Sequence, residues 1–185
     1  MQYYLFDQDL LVRRAVTIGS LPDDMDPLEW IRGQVITAPP SPVRLRLSDS
    51  SGDTPGDIVQ PFVTVYSDKL RQALTNFGVD NVEFFPAELE HPRTGRITPD
   101  YWLANIVGRV NCVDMENSTY ERSRSGKGLY LEAFTIDEKR APKQPIFRLD
   151  EQATLVIINE PLKEHLETVR LTGVRILPTE EFDGD

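Results

Sequence analysis

The sequence predicts an α+β fold: mixed or antiparallel sheets with few short helices, and two strand-helix-strand repeats related by pseudo-symmetry. Three observations lead there. The segment FVTVYSDKLRQALTNFGVDNVEFFP (62–86) lies without a gap over TLVIINEPLKEHLETVRLTGVRILP (154–178), matching Leu70 to Leu162, Leu74 to Leu166, Val82 to Val174 and Pro86 to Pro178. Such internal similarity reports duplicated architecture. Each copy also carries one short amphipathic stretch between two apolar runs, and the intervening sequence is rich in strand formers.

The helices are expected over 68–77 and 160–169. Ser67 or Asp68 supplies the cap of the first, with Leu70, Ala73, Leu74 and Phe77 recurring at helical spacing. Gly78 suits the stop, and residues 82–85 form the next strand. The matched positions are mostly aliphatic, so the duplication speaks for scaffold and not for chemistry.

Before the first repeat, residues 3–6 and 11–18 read as extended. Asp26 followed by Pro27 and an apolar stripe through Trp30 and Ile31 starts a helix that Gly33 ends. Val43, Leu45 and Leu47 alternate with Arg44 and Arg46, the period of a half-buried strand. The Ser/Gly/Pro/Asp run at 48–57 is expected to be an exposed linker. Residues 1–57 therefore read as a strand-rich lobe with an acidic linker, and 58–185 as the repeat-bearing domain packed as one globular unit.

Between the repeats, 101–121 is rich in strand formers, with Gly108 as a bulge. The run RSRSGKG (122–128) is a hairpin-like loop into a strand over 129–136. Residues 138–145 form an exposed connection, and the acidic end, EEFDGD, should fray.

Thirty acids against 20 bases give a net charge of −10 over 185 residues. That disfavours nucleic-acid or anionic-membrane binding, which needs a positive surface. It suits a cationic partner. A chain of this length buries roughly 70% of its unfolded surface, enough for a core without staples. One cysteine allows no intrachain disulfide, and one Cys with two His cannot build the usual structural zinc site. No signal peptide or apolar transmembrane run is legible, which predicts a cytoplasmic protein.

Chemical motifs fail one by one. The Gly-Lys-Gly of the basic loop lacks both the earlier glycine and the following hydroxyl of a phosphate loop, since Glu121 and Gly128 stand there. His91 is placed on a surface loop and His165 on the second helix, neither beside a nucleophile signature. Cys112 reads as a small buried hydrophobe. Among the many acids, Glu83, Glu88, Glu90, Asp114 and Glu116 form no cation-binding loop. Asp114 reads as a turn cap or a partner of Arg109 or Arg148. No catalytic residue, metal ligand or cofactor is assigned.

Several segments carry a resemblance. They are the Ser67/Leu70 helix start, the Val82-Glu83-Phe84…Pro86 strand, Tyr101…Asn105, Cys112…Asp114, Phe147-Arg148-Leu149 and Leu171-Thr172-Gly173. In that order, over roughly the last two-thirds of the chain, they resemble the bacterial immunity-protein-eleven family of polymorphic toxin systems. The resemblance implies a non-catalytic antidote that binds and neutralises a cognate toxin, without nucleic acid or membrane. An acidic surface would suit a basic toxin such as a nuclease. Two other classes stay open: an adaptor or effector-loading chaperone of a secretion system, and a carboxylate-based hydrolase. Loops carry binding more often than scaffolds do, so the candidate toxin contacts are Asp49, Asp53 and Asp57 in the Ser/Gly run and Glu88 and Glu90 after the first repeat. Tyr101 and Trp102 are the aromatic alternative.

Overall fold

In the computed structural model, which describes residues 1–123 and 128–184, the elements run as follows. Strands β1 (Tyr3–Gln8), β2 (Ile18–Ser20), β3 (Val43–Leu47), β4 (Ile58–Val59) and β5 (Val65–Ser67) precede helix α1 (Asp68–Phe77). Strands β6 (Val82–Glu90), β7 (Ile97–Ile106), β8 (Arg109–Val110), β9 (Tyr120–Arg122), β10 (Leu129–Leu131), β11 (Ile146–Leu149) and β12 (Val156–Asn159) follow. Helix α2 (Glu160–Glu167) and β13 (Val174–Pro178) complete the fold. One sheet has the order β13-β1-β12-β11-β8, another β2-β3-β6-β7-β5-β4, and β9 with β10 forms a small ribbon. The fold is α+β, mostly sheet with two short helices.

Both helices follow from their local sequence. The Ser67 hydroxyl accepts from the Leu70 amide, and the Asn159 side chain accepts from Leu162, so the matched positions of the two copies supply matched N-caps. Gly78 closes α1 at φ 97°, a left-handed conformation that costs glycine little. Leu70, Leu74, Leu162 and Leu166 are all buried and meet in one core cluster.

The repeat is wider than the ungapped similarity. In the first unit β7 lies between β5 and β6, with Ser67 facing Tyr101, Tyr66 facing Trp102 and Pro86 facing Trp102. In the second, β1 lies between β12 and β13, with Asn159 facing Tyr3, Ile158 facing Tyr4 and Pro178 facing Tyr4. The N-terminal YYLFDQ thus takes the place of YWLANI in the other copy. On the outer side β4 flanks β5 as β11 flanks β12, with Ile58 facing Tyr66 and Ile146 facing Ile158. Each unit is four strands and a helix, and the second unit is assembled from both ends of the chain.

Side-chain interactions repeat with the backbone. Asn105 donates to Glu83 at 2.8 Å, where the second unit has Arg175 forked onto Asp7 at 2.8 and 3.0 Å. Arg71 sits over the Trp102 ring at 4.5 Å, and Lys163 over Tyr4 at 5.5 Å. The matched residues Ala73 and His165 touch each other, His165 Nε2 lying 3.1 Å from the Ala73 carbonyl. Contact between equivalent residues is the mark of a two-fold axis between the helices.

Both faces of the sheets are covered, which explains the near-continuous apolar strands. Tyr4, Phe6, Tyr66, Ala104 and Ile158 point into the shared core with the helices. On the opposite face of one sheet, Leu45, Val65 and Leu103 pack under Val16, Trp30, Met25 and Ile36. On the other sheet, Leu5, Phe147 and Ile157 pack under Cys112, Val113, Phe134 and Phe182. Each cover is the chain's own insertion.

Several expectations are corrected by this arrangement. The first strand does not sit in a separate N-terminal lobe, because it is paired on both sides within the second unit. Residues 11–18 are not a strand: only Ile18–Ser20 pairs, and Leu11 projects into solvent. The helix after Asp26 is a single 3₁₀ turn at Glu29–Ile31 that drops Trp30 into the core. The strand expected over 129–136 ends at Leu131, and most of the RSRSGKG loop, 124–127, lies outside the described residues. The acidic end is anchored at Phe182, which is buried edge-on against Phe134, and residue 185 lies outside the described residues.

Equivalence of the two helices has a measurable consequence. Replacing Leu70 or Leu162 by Ala is expected to cost about 2–5 kcal/mol in either copy, and Ser67→Ala or Asn159→Ala about 1 kcal/mol. Urea unfolding checks both, and a loss confined to one copy would contradict the shared core.

Candidate binding surface

The five acids singled out in the sequence divide once the chain is folded. Asp57 is buried, with 4% of its surface exposed, and is tied down from several sides. Its carboxylate accepts from the Ser67 hydroxyl at 2.5 Å, from the Thr172 amide at 2.6 Å and from the Thr172 hydroxyl at 3.2 Å. Lys69 Nζ lies 3.0 Å away. Asp57 is therefore a structural carboxylate without a free face for a partner. Gly56 beside it packs against the Thr172–Gly173 backbone, where an added Cβ would come within 2.8 Å of the Thr172 carbonyl.

The other four reach the surface, and three of them have a basic neighbour there. Glu88 pairs with Arg44 at 3.0 Å, and Asp49 lies 3.8 Å from Arg46. Asp53 stands 3.3 Å from His91 Nε2, and its carbonyl takes a hydrogen bond from Arg96. His91 is thus not on an exposed loop: it is almost fully buried, with Nδ1 accepting from the Arg93 amide at 3.3 Å. Strand β3 runs parallel to β6 and sets Arg44 opposite Glu88 and Arg46 opposite Glu90. Sequence neighbours did not show those bases.

The aromatic pair also divides. Tyr101 is buried, and its hydroxyl donates to the Gly56 carbonyl at 2.9 Å; burial raises that hydroxyl to a pKa of about 12. It serves the same joint as Asp57. Trp102 is half-buried, donating from its indole to Asp68 at 3.0 Å beneath Arg71. The hydrogen bond from Arg71, with those from Gln72 and Trp102, holds the Asp68 carboxyl below the usual range.

The charged ladder of β3 and β6 forms one wall of a groove of about 670 Å³. Its other walls come from the cover segment: Leu21, Pro22 and Met25, then Trp30, then Ile36 and the prolines 39, 40 and 42. Arg44, Arg46, Glu90, Asp24 and Glu29 rim it. The volume falls within the range of ligand pockets, and an apolar floor with a mixed polar rim is the anatomy of a recognition surface. Of the sequence-derived candidates this groove uses Glu90 directly and Glu88 through Arg44. The arginines, Met25 and the prolines were not singled out; the proline run 39–42 next to an Arg-alternating strand was the available signal.

Residues with chemical potential are held inert. Cys112 is fully buried, and burial, reinforced by the charge of Glu151, pushes its thiol up to about 12. Asp114 caps its own turn, accepting from the Glu116 amide and the Asn117 side chain. Arg109 pairs instead with Asp150 at 2.8 Å. Among the described residues no group of three or more His, Cys, Asp or Glu could hold a metal ion, and no helix is long and apolar enough to cross a membrane.

The chain belongs to the Immunity protein family (Imm11), whose profile matches residues 2–181. The match reaches well beyond the last two-thirds of the chain and includes β1, as the assembly of the second unit requires. No curated protein matches the sequence.

Two outcomes separate the joint from the surface. Asp57→Ala strands the Thr172 amide and the Ser67 hydroxyl, and is expected to cost about 1–3 kcal/mol for each group left unpaired. The Asp49→Asn/Asp53→Asn double variant should stay within about 0.5 kcal/mol of the parent. Denaturant melts distinguish them. In a Trp30→Phe background, Trp102 fluorescence should report Asp68 titrating below the ordinary carboxylate value near 4, and Asp68→Asn should abolish the transition. The sign is that of a depressed carboxyl: its contribution is complete above the unfolded pKa and lost as pH falls through the folded one.

Proposed function

We propose that this protein is a non-catalytic immunity protein that neutralises a cognate toxin by binding it, within the cytoplasm of the cell it protects. The family match over nearly the whole chain is the observation that carries the reading. Two features support it: the internal consumption of Asp57, Cys112, Asp114 and both histidines, and the groove walled by β3, β6 and the cover segment. The groove is the proposed toxin contact, with Glu88, Glu90, Asp49 and Asp53 contributing at its rim and neighbouring loops. Trp102, half-buried under Arg71, is the weaker candidate.

The net charge of −10 favours a basic partner, but the groove itself carries both signs. The loop acids are therefore expected to steer association, while the groove decides how long the complex lasts. Rim charges act mainly on the on-rate and its salt dependence.

Co-expression tests the function directly. The chain should restore growth to cells expressing the toxin encoded beside it, and the purified pair should form a stoichiometric complex. Arg44→Gln/Arg46→Gln should weaken that complex by about 10–100-fold, equivalent to about 1.4–2.8 kcal/mol, while the loss of exposed ion pairs costs the free protein no more than about 1 kcal/mol each. Asp49→Asn/Asp53→Asn should instead slow association and flatten its salt dependence. Complex formation without protection from the toxin would point to an adaptor or loading chaperone. A hydrolytic activity that one carboxylate substitution removes, with no partner bound, would overturn the reading.

A further inference from the structure

Arg148 is the largest fully buried side chain of the described structure, on β11, with 2% of its surface exposed. Its one hydrogen bond runs from Nη1 to the Ala153 carbonyl at 3.0 Å, and Nε has no partner. Among the described residues no carboxylate comes within salt-bridge distance of it, although the chain has 30 acids to offer. Burial, with the positive charge of Arg109 adding to it, brings the guanidinium pKa down to about 10, so it stays charged at neutral pH. Close by, the fully buried Tyr66 hydroxyl is also without a partner. A buried cation without a counter-charge is destabilising, and folds ordinarily avoid it by pairing or by replacement with an apolar residue.

Arg148 is also one of the residues lining a pocket of about 200 Å³, with Ile31, Gln60, Phe62, Thr64 and Thr154. Phe62 stands at its edge, half exposed, at φ 73°. That left-handed conformation is an outlier for a bulky side chain, and such strain persists where the surroundings impose it. An exposed strained aromatic and the residue that carries an unpaired buried guanidinium thus line the same pocket.

We propose that this pocket, between the β4–β5 turn and β11, receives a carboxylate of a bound protein partner, an acidic side chain or a chain end, with Arg148 as its counter-ion and Phe62 packed on its apolar stem. The proposal rests on the protein-binding reading above for the source of the carboxylate. The volume lies below the range of free small-molecule sites and fits one inserted side chain. Guanidinium is suited to the task because it offers paired donors to the two carboxylate oxygens. This contact complements the groove: the groove presents mixed charge at the surface, whereas Arg148 would supply one dry, directional anchor.

Acetate and benzoate serve as probes, at constant ionic strength with chloride as reference, and the toxin is not needed. The expected result is a saturable shift of the Arg148 Nε–H resonance with both acids, in the millimolar range, and none with chloride. Arg148→Met should melt at or above the parent temperature, because it removes a buried charge while filling similar space, and should lose the carboxylate response. Phe62→Gly relieves the backbone and should preserve folding while weakening benzoate severalfold more than acetate. Absence of a saturable shift with either acid would mean that solvent alone satisfies Arg148 and Tyr66, and would overturn the proposal. So would a markedly lower melting temperature for Arg148→Met, which would make the guanidinium structural. Micromolar affinity for a free acid would overturn the protein source in favour of a small-molecule site. Because the probes act without the toxin, failure here and failure of toxin binding are read separately.

Discussion

The carboxylate of Asp57 lies under the start of α1 and holds the two units in register. It takes the hydroxyl of Ser67, which is itself the cap of the first helix, and the amide of Thr172, which belongs to the turn leading into the last strand. Backbone bonds reinforce the joint, with the Asp57 amide on the Thr172 carbonyl and the Ser67 amide on the Asp57 carbonyl. Tyr101 reaches the same place through the Gly56 carbonyl. A buried carboxylate is stable only when its lone pairs are occupied, and here the occupants come from both copies of the repeat. The close approach of Gly56 to Thr172 and Gly173 is what brings those donors within reach.

Around that joint the duplication explains the architecture. Two four-strand units share one core through α1 and α2, and the two-fold relation is visible in caps, ladders and cation–aromatic pairs alike. The copies have diverged where they no longer do the same work. Glu83 with Asn105 has become Arg175 with Asp7, and in the first copy Glu83 also receives the Ile36 amide at 3.2 Å, fastening the cover segment. The groove grows out of that asymmetry: β3 extends β6 on one side only, and the cover segment folds back over it. The proposed contact surface thus lies on what was added to the repeat.

How charge is distributed follows from the same plan. The chain is strongly acidic, yet Glu88 and Asp49 near the groove have Arg44 and Arg46 beside them. Apolar residues exposed at Leu10, Leu11 and Val12 stand beside Arg13 and Arg14 and add a protruding apolar and basic tip. As the proposed contact, such a surface would discriminate by pattern more than by net sign, which is how polar interfaces reject wrong partners.

The sequence by itself determined what depends on near neighbours along the chain. Both helices, their caps, the Gly78 stop, the alternation of Val43, Leu45 and Leu47, and the turn cap at Asp114 were legible because each is fixed by a few consecutive residues. Tertiary structure decided what depends on strand pairing over long separations. Only pairing shows that YYLFDQ completes the second unit, that Asp57 and Tyr101 belong to an internal joint, and that Arg44 and Arg46 answer Glu88 and Glu90. The physical reason is that strand ladders and buried polar contacts join residues with no local periodic signal between them. An aspartate in a Ser/Gly run reads the same whether it meets water or the amide of a residue over a hundred positions away.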